Sequence, residues 1–285
     1  MRNWLLPGSM KNLEIYAVIG VFVLGLLVAT ASQAGETANA RVFSGRVAGG
    51  AYLVAAPKNI PENKALPILF YYHGYGQSAR NIINDKNLRD LASRKGVLLV
   101  VPDGLDQSWS NVGAPSEKRD EIAFTQEILR DVRSSWRVDD KRIWASGFSQ
   151  GGSMAWDVAC YMGEEFTAFF PVAGSFWRPH PPSCQTAVNL RHIHGLADTV
   201  VPMKGRQIGS RWYQGDVREG IGIWQEANGC NDEVVEQMAE DLDCRIWSGC
   251  KSGKTLELCL HQGGHSFKTE WLAQGIEWAE KQTVQ

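Results

Sequence analysis

The sequence predicts an α/β fold with a mainly parallel central sheet, covered by helices on both faces and forming a single domain. Short apolar runs carry the first part of that reading: PILFYY (67–72), VLLVV (97–101), RIWAS (142–146), FFPVAG (169–174) and RHIH (191–194). They lack the polar alternation of a half-exposed strand, and a strand apolar at nearly every position needs cover on both sides. Helical periodicity between them carries the second part. Ile122, Thr125, Leu129, Val132 and Trp136 recur at steps of three and four, as do Met154, Ala155, Val158, Ala159 and Met162. A polar helical stretch lies near 78–95, and RVFSGRVAGGAYLVAAP reads as an antiparallel hairpin turned near Gly49-Gly50.

Length and composition bound the rest. The chain has 285 residues, 44% of them hydrophobic and eleven of them tryptophan, which is enough for one large core. No repeat, charge block or low-complexity linker divides residues 41–285. Before them, Lys11 precedes the apolar stretch IYAVIGVFVLGLLVATA (Ile15 to Ala31), which is followed by small and then polar residues. This pattern predicts a signal peptide over residues 1–34, cut after Ala31 or Ala34, with an uncleaved membrane anchor as the alternative. Residues 35–285 are then an exported domain, secreted or periplasmic. Without the leader, 27 basic and 30 acidic residues remain, a net charge of −3, and no basic cluster speaks for nucleic acid. Any membrane contact rests on the N-terminal segment alone.

All six cysteines lie beyond that segment, and an even number in an exported chain points to disulfides. No C-x₂-C pair occurs among them, and the sequence points to no metal and no cofactor. CRIWS (244–248) and TLELCLH (255–261) read as two strands joined by a short polar turn. A turn centred between Cys250 and Lys254 sets Cys244 opposite Cys259, and facing residues of antiparallel strands bring their Cβ atoms to about 4.5–5.5 Å. Cys250 is then free to reach Cys230, and Cys160 remains for Cys184.

The stretch GFSQGGSMAWDVAC (Gly147 to Cys160) follows an apolar run and opens a helical one. G-x-S-x-G at such a junction is the signature of a nucleophile elbow, a sharp turn that lifts the serine hydroxyl above the sheet. Ser149 as nucleophile requires a histidine to take its proton and a carboxylate to orient that histidine. RHIHGLADTVVP offers Asp198 on the loop after a strand, and LELCLHQGGHSF offers His265 in a glycine-flanked loop after another. His73, His192, His194 and His261 fall in or at the ends of strands as structural groups, and His180 sits solvated in a proline-rich loop. An oxyanion needs two backbone N–H donors. Gln150, directly after the nucleophile, supplies one, and the turn in ILFYYHGYGQS supplies the other through Tyr75, with Gly74 as the alternative. Trp109, Trp177 and Trp271 are candidates for shaping the substrate site, against the plainer reading that they are core.

Taken together, YYHGYGQS, VVPDG, VDDKRIWASGFSQGGSMA, PVAG, HGLADTVVP, ANGC and GGHSF resemble the α/β-hydrolase esterases grouped as polyhydroxybutyrate depolymerase-like and feruloyl esterase-like proteins. The resemblance covers nearly all of residues 41–280. It implies a serine carboxylester hydrolase with Ser149 as nucleophile, Asp198 as acid and His265 as base, acting on an ester through an acyl-enzyme. Aryl esters on plant polysaccharide, acetylated sugars and hydroxyalkanoate oligomers are the implied substrate classes. Alternatives are a serine peptidase of the same fold and a catalytically idle carbohydrate- or lipid-binding protein. One departure is visible. The family commonly has tryptophan and proline after the histidine, whereas this chain reads His265-Ser266-Phe267-Lys268.

Overall fold

A computed structural model describes residues 40–61 and 63–282. The leader expected over residues 1–34 lies outside them. Twelve strands and six α-helices are described: β1 (Arg41–Val47), β2 (Gly50–Ala56), β3 (Leu66–Tyr72), α1 (Ala79–Asn84), α2 (Lys86–Lys95), β4 (Leu98–Pro102), α3 (Glu121–Ser135), β5 (Val138–Gly147), α4 (Gln150–Met162), β6 (Ala168–Phe169), β7 (Leu190–Gly195), β8 (Arg206–Ile208), β9 (Trp212–Gln214), α5 (Val217–Asn228), β10 (Val235–Ala239), β11 (Leu242–Trp247), β12 (Leu256–His261) and α6 (Thr269–Gln282). Ten strands form one sheet in the order β1-β2-β4-β3-β5-β6-β7-β12-β11-β10, and β8 with β9 makes a separate small ribbon. From β4 to β12 the neighbours run parallel. Antiparallel pairs extend both ends.

The uninterrupted apolar character of β3 follows from this layering. Ile68, Phe70 and Tyr72 point into one core with Ile128 and Val132 of α3, Met154 and Val158 of α4, and Ile221 and Trp224 of α5. Leu69 and Tyr71 point into a second core with Ile82 and Ile83 of α1, Leu88 and Leu91 of α2, and Leu272 and Ile276 of α6. Alternate side chains therefore serve opposite faces, and both faces are apolar.

Strand order reverses at β3. The chain leaves β3 through α1 and α2 to β4 on one side, then crosses through α3 to β5 on the other. Consecutive connections on opposite faces open a crevice at the carboxyl ends of β3 and β5, the place where parallel α/β sheets bind ligands.

Three details differ from the sequence reading. The single helix near 78–95 is two, because Asp85 ends α1 and its side chain accepts from the N–H groups of Asn87 and Leu88 at the start of α2. Of FFPVAG (169–174) only Phe169 lies in a strand, β6, after which Val172 bridges singly to Phe148 and Ile193. β10 had no apolar signal because it is an exposed edge strand.

All six cysteines are paired: Cys160–Cys184, Cys230–Cys250 and Cys244–Cys259. Cys244 faces Cys259 in the β11–β12 register. Closing the 15-residue separation of that pair is worth about 3 kcal/mol in the chain-entropy account. We therefore expect the double change Cys244→Ser and Cys259→Ser to lower the thermal midpoint by roughly 6–12 °C. A melt followed by circular dichroism checks this, and an unchanged midpoint would mean that the bridge adds nothing to the folded state.

Candidate active site

Ser149 stands between β5 and α4 with φ 59° and ψ −122°, a left-handed conformation that non-glycine residues adopt only when their surroundings enforce it. The enforcement is backbone packing. A Cβ on Gly151 would lie 2.0 Å from the carbonyl oxygen of Tyr72, and one on Gly147 would lie 2.3 Å from that of Gly151. Only glycine lets the elbow settle this closely onto the end of β3. The hydroxyl is left without a helix-capping bond and faces the crevice.

The two other residues of the motif converge on it. His265 Nε2 is 2.8 Å from Ser149 Oγ, and His265 Nδ1 is 2.7 Å from Asp198 Oδ2. The carboxylate can only accept, so Nδ1 carries the proton and Nε2 accepts from the serine hydroxyl. Asp198 is buried, and its Oδ1 accepts 2.8 Å bonds from the N–H groups of Val200 and Val201. Burial pushes this carboxyl pKa up. The hydrogen bond from His265 and those from Val201 and Val200 outweigh it, so the group is held below the ordinary carboxylate range. The His265 ring lies 4.7 Å from the ring of Phe148, the residue between Gly147 and Ser149.

The turn after β3 lies against Ser149, since a Cβ on Gly74 would be 3.8 Å from that of Ser149. Its N–H groups are mostly engaged. Gly74 donates to Gln77 Oε1 at 3.0 Å, Gly76 to the Gln107 carbonyl at 2.8 Å and Gln77 to that of Gly74 at 3.2 Å. On the other side Gly151 donates to the Phe148 carbonyl at 2.9 Å. Among the described residues, the N–H groups of Tyr75 and Gln150 have no partner within the chain, whereas the Gly74 N–H is already occupied. The Gln150 side chain is anchored away from the hydroxyl, donating to Ser108 Oγ at 3.0 Å and to the Trp109 carbonyl at 3.1 Å.

Trp109, Trp177 and Trp271 are all buried. Trp109 donates to the His73 carbonyl at 2.7 Å and packs on that ring, which makes it a brace of the turn. His73 accepts from the Gly104 N–H through Nε2, so its proton sits on Nδ1 facing the Gly74 carbonyl. His180 is not solvated as its loop suggested. It is partly buried, with Nδ1 3.5 Å from Glu219 and Nε2 lacking a partner, and burial is the main cause lowering its pKa. Phe267 packs edge-on against Tyr71 and lies near Phe148, so the position after the histidine that departs from the family pattern is an apolar support.

Sequence reasoning missed the support given by Phe148, Gln77, Val200 and Val201. DTVVP did carry a signal for the last two, since an aspartate at a turn commonly accepts from the N–H groups two and three residues on.

No family model matches the chain. Among curated proteins it is 28% identical over 234 residues to feruloyl esterase B of Piromyces equi, an alignment covering 75% of this chain and 42% of that protein. It is 26% identical over 231 residues to feruloyl esterase D of Neurospora crassa, covering 75% and 73%. Feruloyl esterase C of Emericella nidulans matches at 24% over 231 residues. The chain is similar in sequence to the feruloyl esterases over about three quarters of its length. Solved structures agree on the α/β-hydrolase fold. Acetyl xylan esterase from Aspergillus awamori superposes with a TM-score of 0.60 at 12% identity, covering 84% of this chain and 99% of that one. A feruloyl esterase module from Clostridium thermocellum complexed with sinapinate gives 0.53 at 13%, covering 87% and 88%. Relative to the Piromyces protein, this α/β-hydrolase chain spans less than half the length.

Behind the elbow, Asp157 of α4 is buried and accepts from Asn111 Nδ2 at 2.9 Å and the Val112 N–H at 3.3 Å, tying down the loop that follows Trp109. Burial pushes its carboxyl up to about 7 against the pull of those two donors, and the Glu121 charge adds to the rise. A folded pKa above the unfolded one means that the folded state holds the extra proton between about pH 4 and 7. Stability therefore falls as pH rises through that window, by up to about 1.4 kcal/mol per pH unit for one proton. Asp157→Asn keeps an acceptor and does not titrate. Its thermal midpoint should decline less than that of the wild type between pH 5 and 8, and parallel curves would refute the raised pKa.

Proposed function

We propose that this chain is a serine carboxylic ester hydrolase that cleaves feruloyl or acetyl esters. The observation that carries the reading is the His265 ring bridging Ser149 and Asp198 at 2.8 Å and 2.7 Å. Ser149 Oγ attacks the ester carbonyl while His265 Nε2 takes its proton, and the carboxylate of Asp198 stabilises the resulting imidazolium. The carbonyl oxygen becomes an oxyanion facing the N–H groups of Tyr75 and Gln150. As the tetrahedral species collapses, the C–O bond breaks and His265 gives its proton to the departing alcohol. Water, deprotonated by the same nitrogen, attacks the acyl-enzyme and releases the acid. Every step uses groups of this chain.

An aromatic acyl group suits the rim of the crevice. Tyr75, 76% exposed, projects from the turn that offers an oxyanion donor, and Leu196 and Val200, each 43% exposed, lie on the Asp198 loop. The names of the feruloyl esterase relatives support the same class. Three disulfides support an oxidising compartment, which fits export directed by residues 1–34.

Ser149→Ala should lower ester hydrolysis by roughly 10³-fold or more with the fold intact, and Asp198→Asn should be comparably severe because it favours the wrong histidine tautomer. Assays on methyl ferulate, acetylated xylan and hydroxybutyrate oligomers test mechanism and substrate together. Near-normal turnover by purified Ser149→Ala would sink the mechanism, and hydroxybutyrate oligomers outpacing both other substrates would sink the substrate class. For export, sequencing of the mature N-terminus should find it between Thr30 and Gly35, whereas recovery of the intact segment 1–34 in membranes would overturn cleavage.

A further inference from the structure

Trp156 of α4 and His192 and His194 of β7 are each 0% exposed and form a line behind the Asp198 loop. The indole N–H of Trp156 can only donate, and it lies 3.2 Å from His192 Nδ1, which must accept. A neutral His192 then carries its single proton on Nε2, 2.9 Å from His194 Nδ1. That contact makes His194 Nδ1 the next acceptor and puts the His194 proton on Nε2. This last N–H is 2.8 Å from the Val201 carbonyl, and the same nitrogen is 3.7 Å from Asp198 Oδ2. One indole thus sets the tautomers of two rings. An imidazolium at His192 would turn an N–H toward the indole N–H, so the geometry itself requires a neutral ring. Burial, the largest cause, lowers both pKa values; the neighbouring His194 charge lowers that of His192 further, against the Pro171 carbonyl.

The end of the line matters because Val201 is held from both sides. Its carbonyl accepts the hydrogen bond from His194 Nε2–H, and its N–H donates to Asp198 Oδ1 at 2.8 Å. With Oδ1 occupied by Val201 and Val200, Oδ2 is the oxygen left for His265. Pro202 follows, so the peptide bearing the clamped carbonyl has no N–H of its own and cannot be held from its other edge.

We propose that His194 is a positioning residue for Asp198, its Nε2–H oriented by Trp156 through His192 and clamping the Val201 segment so that the carboxylate is aimed at His265. The proposal rests on the role of Asp198 given under Proposed function. It assigns work to a histidine of the HGLADTVVP segment that never touches substrate.

Two substitutions separate the donor from the ring. His194→Gln places an amide N–H near the former Nε2 and keeps the bond to Val201. His194→Asn places a carbonyl near the former Nδ1, satisfies His192 and leaves Val201 unclamped. On methyl ferulate we expect His194→Gln to stay within about threefold of the wild-type kcat. His194→Asn should lose roughly 10- to 100-fold in kcat with KM changed less than about twofold, because a displaced catalytic group costs rate rather than ground-state binding. The low-field proton resonance of His265 Nδ1–H should move in His194→Asn and keep its position in His194→Gln. Equal kcat values for the two variants, or a loss confined to KM, would overturn the proposal. Should His194→Asn fail to fold, long-range proton–nitrogen NMR of the wild type decides the matter: both His192 and His194 must be Nε2–H tautomers, and an Nδ1–H form of either refutes the line. A fluorophosphonate probe keeps the two readings apart. Absence of labelling at Ser149 in the wild type would sink the esterase mechanism itself, whereas normal labelling with full turnover in His194→Asn would sink only the positioning role.

Discussion

The close approach of the elbow to the end of β3 is the contact on which the site depends. Gly147 and Gly151 sit where any Cβ would drive into backbone carbonyls, and Gly152 meets the Val172 carbonyl in the same way. Three neighbouring strands, β3, β5 and β6, are thereby brought together around one residue. Ser149 is left at φ 59°, a conformation that costs on the order of 1–3 kcal/mol and persists because the surrounding contacts outweigh it. A position so over-determined holds the hydroxyl where the proposed reaction needs it. It also aims the free N–H of Gln150 and brings the turn at Gly74 and Tyr75 alongside.

At Asp198 three hydrogen bonds and the His265 charge oppose burial. Burial alone would favour the neutral acid, and a protonated Asp198 could not stabilise an imidazolium. Two backbone donors and one imidazole donor reverse the outcome. Asp157 is the contrasting case. It has two donors, one of them at 3.3 Å, and the Glu121 charge opposes ionisation, so burial prevails and the pKa rises. The same residue type is thus ionised in one place and half-protonated near neutrality in another, set by how completely it is buried and by the donors and charges around it.

Much of this was legible before the structure. The parallel strands announced themselves because both sheet faces are buried, and the glycines around Ser149 because their spacing matches a turn with a known steric demand. The β11–β12 register followed from the turn length, which is why Cys244 and Cys259 could be set opposite each other. What stayed hidden depended on partners remote in sequence. His180 looked solvated among prolines, yet its ring packs at the Gly215 backbone beside Glu219. Trp109 looked like a candidate substrate contact, but its indole N–H is consumed by the His73 carbonyl 36 positions away. The link from Trp156 to His192 spans the same separation, and no local pattern encodes such pairings.

The site is assembled from two bodies of backbone rather than three independent loops. The loops that carry Asp198 and His265 are stitched together, since Leu196 donates to the His261 carbonyl at 2.8 Å and Ala197 to that of Gly263 at 3.0 Å. Gly195 is pressed against the carbonyls of Gly263 and Gly264 so closely that a Cβ would lie 2.5 Å and 2.4 Å from them. Asp198 and His265 are therefore held on one unit, mounted on the parallel pair β7–β12 and tied through Cys259 to β11. Ser149, Gln150 and Tyr75 belong to the other unit, mounted on β3 and β5. Their meeting surface is the Phe148 ring against the imidazole, with Phe267 beside it. The Phe148 ring thus backs one side of the imidazole, and the hydrogen bond between Ser149 and His265 forms part-buried across the seam between the two units.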